Sequence, residues 1–420
     1  MKQSWTKSGA TSAISNKHAL GHKLARGAIA TASLALLASA CGSGSSSSTA
    51  TTASATGTSA APPTITTSSL DSTFAAMASL KSLVAQGKGK VAVILPDTQS
   101  SARYVDFDAP YLTKAFTDAG YSSSQFIIQN AQGSDTSQLA DAQAAITNGA
   151  SVLAVDPLDS GVGASIDAYA QAHGVKVIDY DRITLQGHQS YYVSFDNVQV
   201  GKLIGQSFLS CISAWGVTNP QVYELNGSPT DNNATLFAQG YDSVLAPQYA
   251  SGKLTKVGEQ AVTNWDNQIA LTDFQQAYTA HPNINAVVTA NDGIGNAVVS
   301  ALKSLNVGPY KVPTTGQDAT LQGMTNILQG YQCSSIYKPI YLEAQATVAL
   351  ASYLRAGVSP PAGLVNSTVS NGVTNVPSVL LTPIAVTQSN MGSTVIKDGF
   401  ISKAQLCVGT IAALCTKFGI

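Results

Sequence analysis

Val91-Ala92-Val93-Ile94-Leu95, Phe126-Ile127-Ile128, Val152-Leu153-Ala154-Val155 and Val175-Lys176-Val177-Ile178 are four short, mostly β-branched runs, recurring roughly every 25 to 35 residues. Each is followed by a polar turn and a segment of helical period. Ala140, Ala144, Ala145 and Ile146 precede Asn148-Gly149, and Ile166, Tyr169 and Ala170 precede His173-Gly174, so both helices stop on a glycine C-cap. Strand alternating with helix implies a parallel sheet covered on both faces. A second series repeats the pattern through Val222-Tyr223-Glu224-Leu225, Lys253 to Val257, Ala286-Val287-Val288-Thr289 and Ser335-Ile336-Tyr337. The expected fold is therefore α/β, two doubly wound parallel-sheet lobes in succession, with ligands held beyond the carboxyl ends of the strands.

The residues at those strand ends are of one chemical kind. After Leu95 come Pro96-Asp97 and then Arg103-Tyr104; after Ile178, Asp179-Tyr180-Asp181-Arg182; after Leu225, Asn226-Gly227-Ser228-Pro229-Thr230-Asp231-Asn232-Asn233. Asn291-Asp292 follows the Val288 run, Gly316-Gln317-Asp318 follows a strand expected over Lys311 to Thr315, and Lys338-Pro339 follows Tyr337. Arg, Asp and Asn each present two coplanar donors or acceptors, so one side chain can hold two adjacent hydroxyls of a sugar. Tyr104 and Trp265 offer flat apolar faces for the C–H side of a pyranose ring. Taken singly, an Asp or Asn after a strand is an ordinary turn former or helix N-cap, and Asp231 with Asn232 could simply cap the helix that carries Leu236 and Phe237. Joint occurrence at the corresponding ends of both halves favours a site.

Composition narrows the classes further. Of 420 residues 44% are hydrophobic and only 11% charged, and the formal charge is −1. That excludes a nucleic-acid binder that works by neutralising phosphates, which needs a basic excess. A chain rich in Ala, Ser, Thr and Gly is not a coiled coil.

The first forty residues hold five basic side chains (Lys2, Lys7, Lys17, Lys23, Arg26) and no acidic one, and run into an uncharged stretch from Gly27 to Ala40. This is the layout of a signal peptide; 14 residues are too few for a bilayer-crossing helix, which needs about 20. Leu37-Ala38-Ser39-Ala40-Cys41 resembles the lipobox of bacterial lipoproteins, with Leu37 one step early. The resemblance implies lipidation at Cys41 and a protein anchored to the outer face of the cytoplasmic membrane; the alternative is an ordinary secretory signal cleaved after Ala40. From Gly42 to Leu70, 17 of 29 residues are Ser or Thr and none is charged, the composition of a flexible tether. Without its leader the chain keeps 17 basic against 23 acidic residues, near −6, which suits a soluble domain held at a surface without adhering to anionic lipid.

Cys211, Cys333, Cys407 and Cys415 permit two disulfides in three connectivities in an oxidising compartment. Nearness in sequence favours Cys407 with Cys415, leaving Cys211 with Cys333. There is no CxxC spacing, so neither a metal nor a redox site is expected.

The ordered set Asp179-Tyr180-Asp181-Arg182, Ser194-Phe195-Asp196-Asn197, Gly227-Ser228-Pro229 through Asn233-Ala234, Ala290-Asn291-Asp292, Gly316-Gln317-Asp318-Ala319, Tyr337-Lys338-Pro339-Ile340 and Val395-Ile396-Lys397-Asp398-Gly399-Phe400 resembles the sugar-binding proteins of bacterial ABC importers. Within that type I periplasmic binding protein family the likeness is to the ribose and galactose cluster, and its xylose-binding branch above all. It covers roughly Lys90 to Phe400 and leaves the tail with Cys407 and Cys415 outside. The resemblance implies a monosaccharide ligand, a pentose such as xylose, with no cofactor. It implies an ABC permease as partner, no nucleic-acid partner, a monomer, and no enzymatic activity. It assigns Arg103, Asp181 and Arg182 to sugar hydroxyls from the first lobe, and Asp231, Asn233, Asn291 and Asp318 from the second. Lys338 would sit at a hinge, and Tyr104 and Trp265 would flank the ring. A three-segment hinge is implied near Asn197, Lys338 and Pro377 to Pro383, so that 88–197 with 338–378 forms one lobe and 198–337 with 379–420 the other, after a tether and short helix over 41–87. One departure is Ala102-Arg103-Tyr104 where the family usually has Glu-Arg-Trp.

Three other readings stand beside this one. A glycosidase could use two carboxylates such as Asp181 and Asp318, but Arg182 and the amide-rich loops should keep both ionised, whereas a general acid needs a raised pKa. No GxSxG, HExxH or P-loop pattern occurs, and His173, His188 and His281 are scattered. A sugar sensor presenting its closed form to a receptor or kinase is indistinguishable from a transporter component at this level. A repressor of related fold is disfavoured by the leader and the lack of a basic helix-turn-helix at the N-terminus.

Overall fold

The computed structural model describes residues 61–420. The expected signal peptide, Cys41 and the tether as far as residue 60 lie outside the described residues. In chain order α1 (Lys81–Gln86) leads into β1 (Lys90–Leu95), α2 (Ala109–Asp118), β2 (Phe126–Asn130), α3 (Asp135–Thr147), β3 (Ala150–Val155), α4 (Ser160–Ala172), β4 (Lys176–Tyr180) and β5 (Tyr191–Phe195). The second half runs through α5 (Asn197–Ala214), β6 (Gln221–Asn226), α6 (Asn232–Ala250), β7 (Thr255–Ala261), α7 (Asn267–Ala280), β8 (Ala286–Thr289), α8 (Asp292–Ser304), α9 (Leu321–Gln329) and β9 (Ser335–Tyr337). The chain then returns through α10 (Ile340–Ala356), β10 (Ser367–Ser370) and β11 (Asn375–Leu381) and ends with β12 (Ile384–Val386), α11 (Lys403–Leu406) and α12 (Ile411–Lys417).

Seven strands form the first sheet in the order β10-β11-β5-β4-β3-β1-β2, all parallel except the β10–β11 hairpin. Its central strands are apolar on both faces, as a doubly covered parallel sheet requires. Val91, Val93 and Leu95 of β1 join the core shared with α2 and α10, while Ala92 and Ile94 pack with Ala142 of α3 and Ile166 of α4. The second lobe holds the parallel sheet β7-β6-β8 and the antiparallel pair β12-β9. The chain passes between the two sheet systems at Asp196-Asn197, at Lys338-Pro339 and at Thr382-Pro383. Helices α5 and α6 cross at Gly201 and Gly240, where a β-carbon on either would collide with the backbone of the other helix.

Several expectations need correcting. The Ser/Thr-rich stretch does not behave as a tether as far as Leu70: Ile65 and Leu70 are buried, and Thr67 N–H donates to Gly363 O at 3.0 Å. Two apolar anchors suffice there because α10 supplies a ready surface, with Tyr353 OH hydrogen-bonded to Pro63 O. Phe74, Met77, Leu80 and Leu83 continue the same contact, so the segment before β1 packs on the first lobe. The strand expected over Lys311 to Thr315 shrinks to one bridge, Thr314 with Gln332, because Pro313 has no N–H to extend the ladder. The strand expected from Lys253 begins at Thr255 and runs on to Ala261. The first sheet keeps β11 through Leu381, three residues past the expected boundary.

Of the three connectivities, the cysteines realise Cys211–Cys333 and Cys407–Cys415. The first ties α5 to the loop that leads into β9. The second closes the tail, whose α11 and α12 pack on α9. Among the described residues no helix is long and apolar enough to cross a membrane.

Candidate functional site

All ten residues singled out in the sequence (Arg103, Tyr104, Asp181, Arg182, Asp231, Asn233, Trp265, Asn291, Asp318 and Lys338) line one cavity between the lobes. The cavity is tight, about 20 Å³, room for little more than a water molecule, because the groups that line it bond to one another. Every one of them is buried.

The first wall is built from interlocked charges. Arg103 precedes a π-type turn (Tyr104–Asp108) that widens the entry to α2, and its guanidinium is nearly saturated. Nε and Nη2 donate to the two oxygens of Asp108 at 2.9 and 2.7 Å, Nη2 also to Glu343 at 2.8 Å, and Nη1 to Asp181 at 2.7 Å. With four of its five N–H groups used, Arg103 serves chiefly as the frame that orients Asp181. Asp181, in the left-handed region at φ 59°, would have its carboxyl raised by burial, but Arg103, Lys338 and Arg182 bring it down to about 2. Behind it, burial pushes the Asp108, Asp156 and Glu343 carboxyls up in spite of Arg103 and Arg182. Arg182 reaches across the gap: its Nε lies 3.1 Å from Asp231 and 3.5 Å from Asp156, and Nη2 donates to Tyr104 OH at 3.0 Å.

The second wall is built from helix caps and left-handed turns. Asp231 caps α6 by accepting Asn233 N–H at 2.9 Å, and its other oxygen accepts Trp265 Nε1–H at 3.1 Å. Burial raises the Asp231 carboxyl, against the pull of Arg182. Asn233 Nδ2 donates to Asp181 O at 2.9 Å across the gap, and its oxygen accepts Asn197 Nδ2–H at 2.9 Å. Trp265 follows Asn264, both left-handed at φ 56° and 54°, and its ring lies over Gly227, where a β-carbon would fill the ring's place. Asn291 caps α8 through Ile294 N–H at 2.8 Å and donates to Ser100 O at 3.3 Å. Asp318 accepts Ser101 Oγ–H at 2.8 Å and meets Lys338 Nζ at 3.0 Å. Asp231 and Asn291 are thus helix caps and cavity residues at once.

Sequence reasoning left out Ser100, Ser101, Phe237 and Gln317, which share the cavity. Phe237 lies one helical turn after Asn233, so the i, i+4 spacing carried that signal. Asp108 lies five residues after Arg103 on the same turn, whereas nothing local marks Asp156 or Glu343, which reach Arg182 and Arg103 only through the fold.

The profile of the periplasmic binding protein domain matches residues 91–357. The D-xylose-binding periplasmic protein of Escherichia coli (strain K12) is 37% identical over 280 residues, 66% of this chain and 82% of the relative. The multiple sugar-binding periplasmic receptor ChvE of Rhizobium radiobacter is 34% identical over 336 residues, 77% of this chain and 93% of the relative. Among solved structures, a carbohydrate transporter solute binding protein of Chloroflexus aurantiacus in complex with D-glucose superposes with a TM-score of 0.67 at 27% identity, covering 75% of this chain and 97% of that one.

Proposed function

The chain belongs to the periplasmic binding protein family, and on that premise we propose that it captures a monosaccharide, D-xylose first, between its lobes and delivers it to an ABC permease. In this reading residues 1–40 are removed and a lipid on Cys41 holds the protein to the outer face of the membrane. It is a binding protein and not an enzyme. The observation that carries the proposal is the convergence of donors (Arg182, Lys338) and acceptors (Asp181, Asp231, Asn233, Asp318) from both lobes on one cavity. These groups now bond to one another across the gap, so a polyol that replaces those bonds with its own hydroxyls touches both lobes at once. Only such differential contact can shift the hinge equilibrium toward closure. Hydrogen bonds to charged groups contribute about 1.5 to 3 kcal/mol each, and a handful reaches the roughly −8 kcal/mol of micromolar affinity after closure costs.

Calorimetric titration with xylose, ribose, arabinose, glucose and galactose, followed in parallel by tryptophan fluorescence, tests the reading. Saturable binding of xylose is expected, with glucose the first competitor because a solved relative carries it. Silence toward every pentose and hexose ends the proposal. The receptor in the name of the Rhizobium radiobacter relative favours a second role, a sugar sensor. Deleting the protein should abolish xylose uptake if it serves transport, and leave uptake intact while removing a sugar-dependent response if it serves sensing.

A further inference from the structure

Asp292 is fully buried at the start of α8, next to Asn291, yet it does not line the cavity. Its carboxylate faces the opposite way, into the loop 316–320 that carries Asp318. One oxygen accepts Thr320 N–H at 2.8 Å and Thr320 Oγ1–H at 3.0 Å; the other accepts Gln332 Nε2–H at 2.7 Å. The backbone N–H of Asp292 donates to Gln317 O at 3.1 Å. Both flanks of Asp318 are therefore tied to this one residue.

The loop needs tying. Asp318 and Ala319 both occupy the left-handed region, at φ 90° and 49°, where a side chain is strained and persists only if its surroundings enforce it. The 335–336 strand adds support, Ser335 Oγ accepting Ala319 N–H at 2.9 Å and Ile336 O accepting Asp318 N–H at 2.9 Å, while Ser101 and Lys338 hold the Asp318 carboxylate from the cavity side. Gly316 and Gly323, at either end, leave room for the Asp292 carboxyl that a β-carbon would occupy. The segment is shaped around that group.

We infer that Asp292 is a positioning residue for sugar binding: it holds Asp318 in its strained conformation at the cavity and acts on the ligand only through it. The inference rests on the proposed role of Asp318 as a ligand contact.

A conservative replacement separates this role from bulk stability. In Asp292→Asn the amide oxygen still accepts Thr320 N–H, and the new NH₂ can donate to Gln332 Oε1, which accepts no hydrogen bond among the described residues. Turning the Gln332 amide completes that pair at the cost of one bond, the one Gln332 Nε2 now donates to Ser334 O at 3.0 Å. In Asp292→Ala all three acceptor bonds vanish.

The test is a double-mutant cycle on xylose affinity in the full mature protein, with thermal melting of each variant as a folding control. Asp318→Ala and Asp292→Ala are each expected to weaken binding by about 10- to 100-fold, the loss of bonds to a charged group. Asp292→Asn should recover to within about threefold of the parent. Asp292→Ala added to Asp318→Ala should weaken binding by no more than about threefold further, since residues acting through one group are not additive. Multiplying losses, or a parent-like Asp292→Ala, overturn the inference while leaving Asp318 as a contact. A parent-like Asp318→Ala overturns the underlying reading and the inference together. If Asp292→Ala does not fold, Gln332→Ala takes its place in the cycle with the same non-additivity expected.

Discussion

The two walls of the cavity achieve rigidity by opposite means. On the first, Arg103 grips Asp108, Asp181 and Glu343, so side chains fix other side chains within a buried charge network. On the second, caps at Asp231 and Asn291 and left-handed turns at Trp265 and Asp318 fix each group through its own backbone. The difference predicts different failures. A charge network collapses as a unit when one member goes, because the remaining ions stay buried and unpaired. A backbone-held wall loses one contact at a time.

The largest test of this contrast is Arg103→Met, which strands three buried carboxylates; a loss of about 3 to 5 kcal/mol in urea unfolding is expected. A loss below about 1 kcal/mol would mean the carboxyls carry protons and the network is not ionic. Next comes the staple of the second lobe. Replacing both Cys211 and Cys333 by Ser opens a long loop, of sequence separation 122, and should cost about 2 to 5 kcal/mol, against less for the pair Cys407 and Cys415, separated by only 8.

Acid should then act with opposite sign on Asp181 and on Asp292. Asp181, ordinarily near 3.8, sits near 2 in the folded protein, so its stabilisation is present above 3.8 and lost as pH falls toward 2, about 2 kcal/mol in all. Asp181→Asn should remove that acid slope. Burial raises Asp292 to about 7, so its contribution is full below about 3.8 and is lost as pH rises through 7. Asp292→Asn should flatten the parent's decline in stability between pH 4 and 7; an unchanged profile would count against its buried titration. The smallest effect expected is Arg182→Lys, which keeps the charge but loses the fork that joins Asp231 to Tyr104. Sugar affinity should fall about tenfold, near 1.4 kcal/mol, with melting little changed.

Much of this was legible in the sequence because the runs at Val91, Val152 and Val175 fix where strands end, and strand ends fix the cavity. The selected residues converge because, Asp318 apart, each follows a strand or stands at the start of a helix. The sequence was silent where the determinant is conformational or distant. No local signal announces that Asp181, Trp265 and Asp318 are left-handed, since none is glycine. Nor does composition foretell that Ile65 and Leu70 dock on a helix nearly 300 positions later, or that Glu343 answers Arg103. Sequence reading makes Arg103 a ligand contact, and the fold commits three of its N–H groups to Asp108 and Glu343 and a fourth to Asp181.

The glycine crossing of α5 and α6 has a further consequence for anyone altering the molecule. Asn197 opens α5 and bonds Asn233, which opens α6, so the crossing sets the distance between a hinge residue and a cavity residue. Adding one methyl group at Gly201 would wedge the two rods apart and shift both ends together. Tolerance to mutation in this protein is therefore not graded by nearness to the ligand, and a position without a single polar side-chain atom can govern recognition.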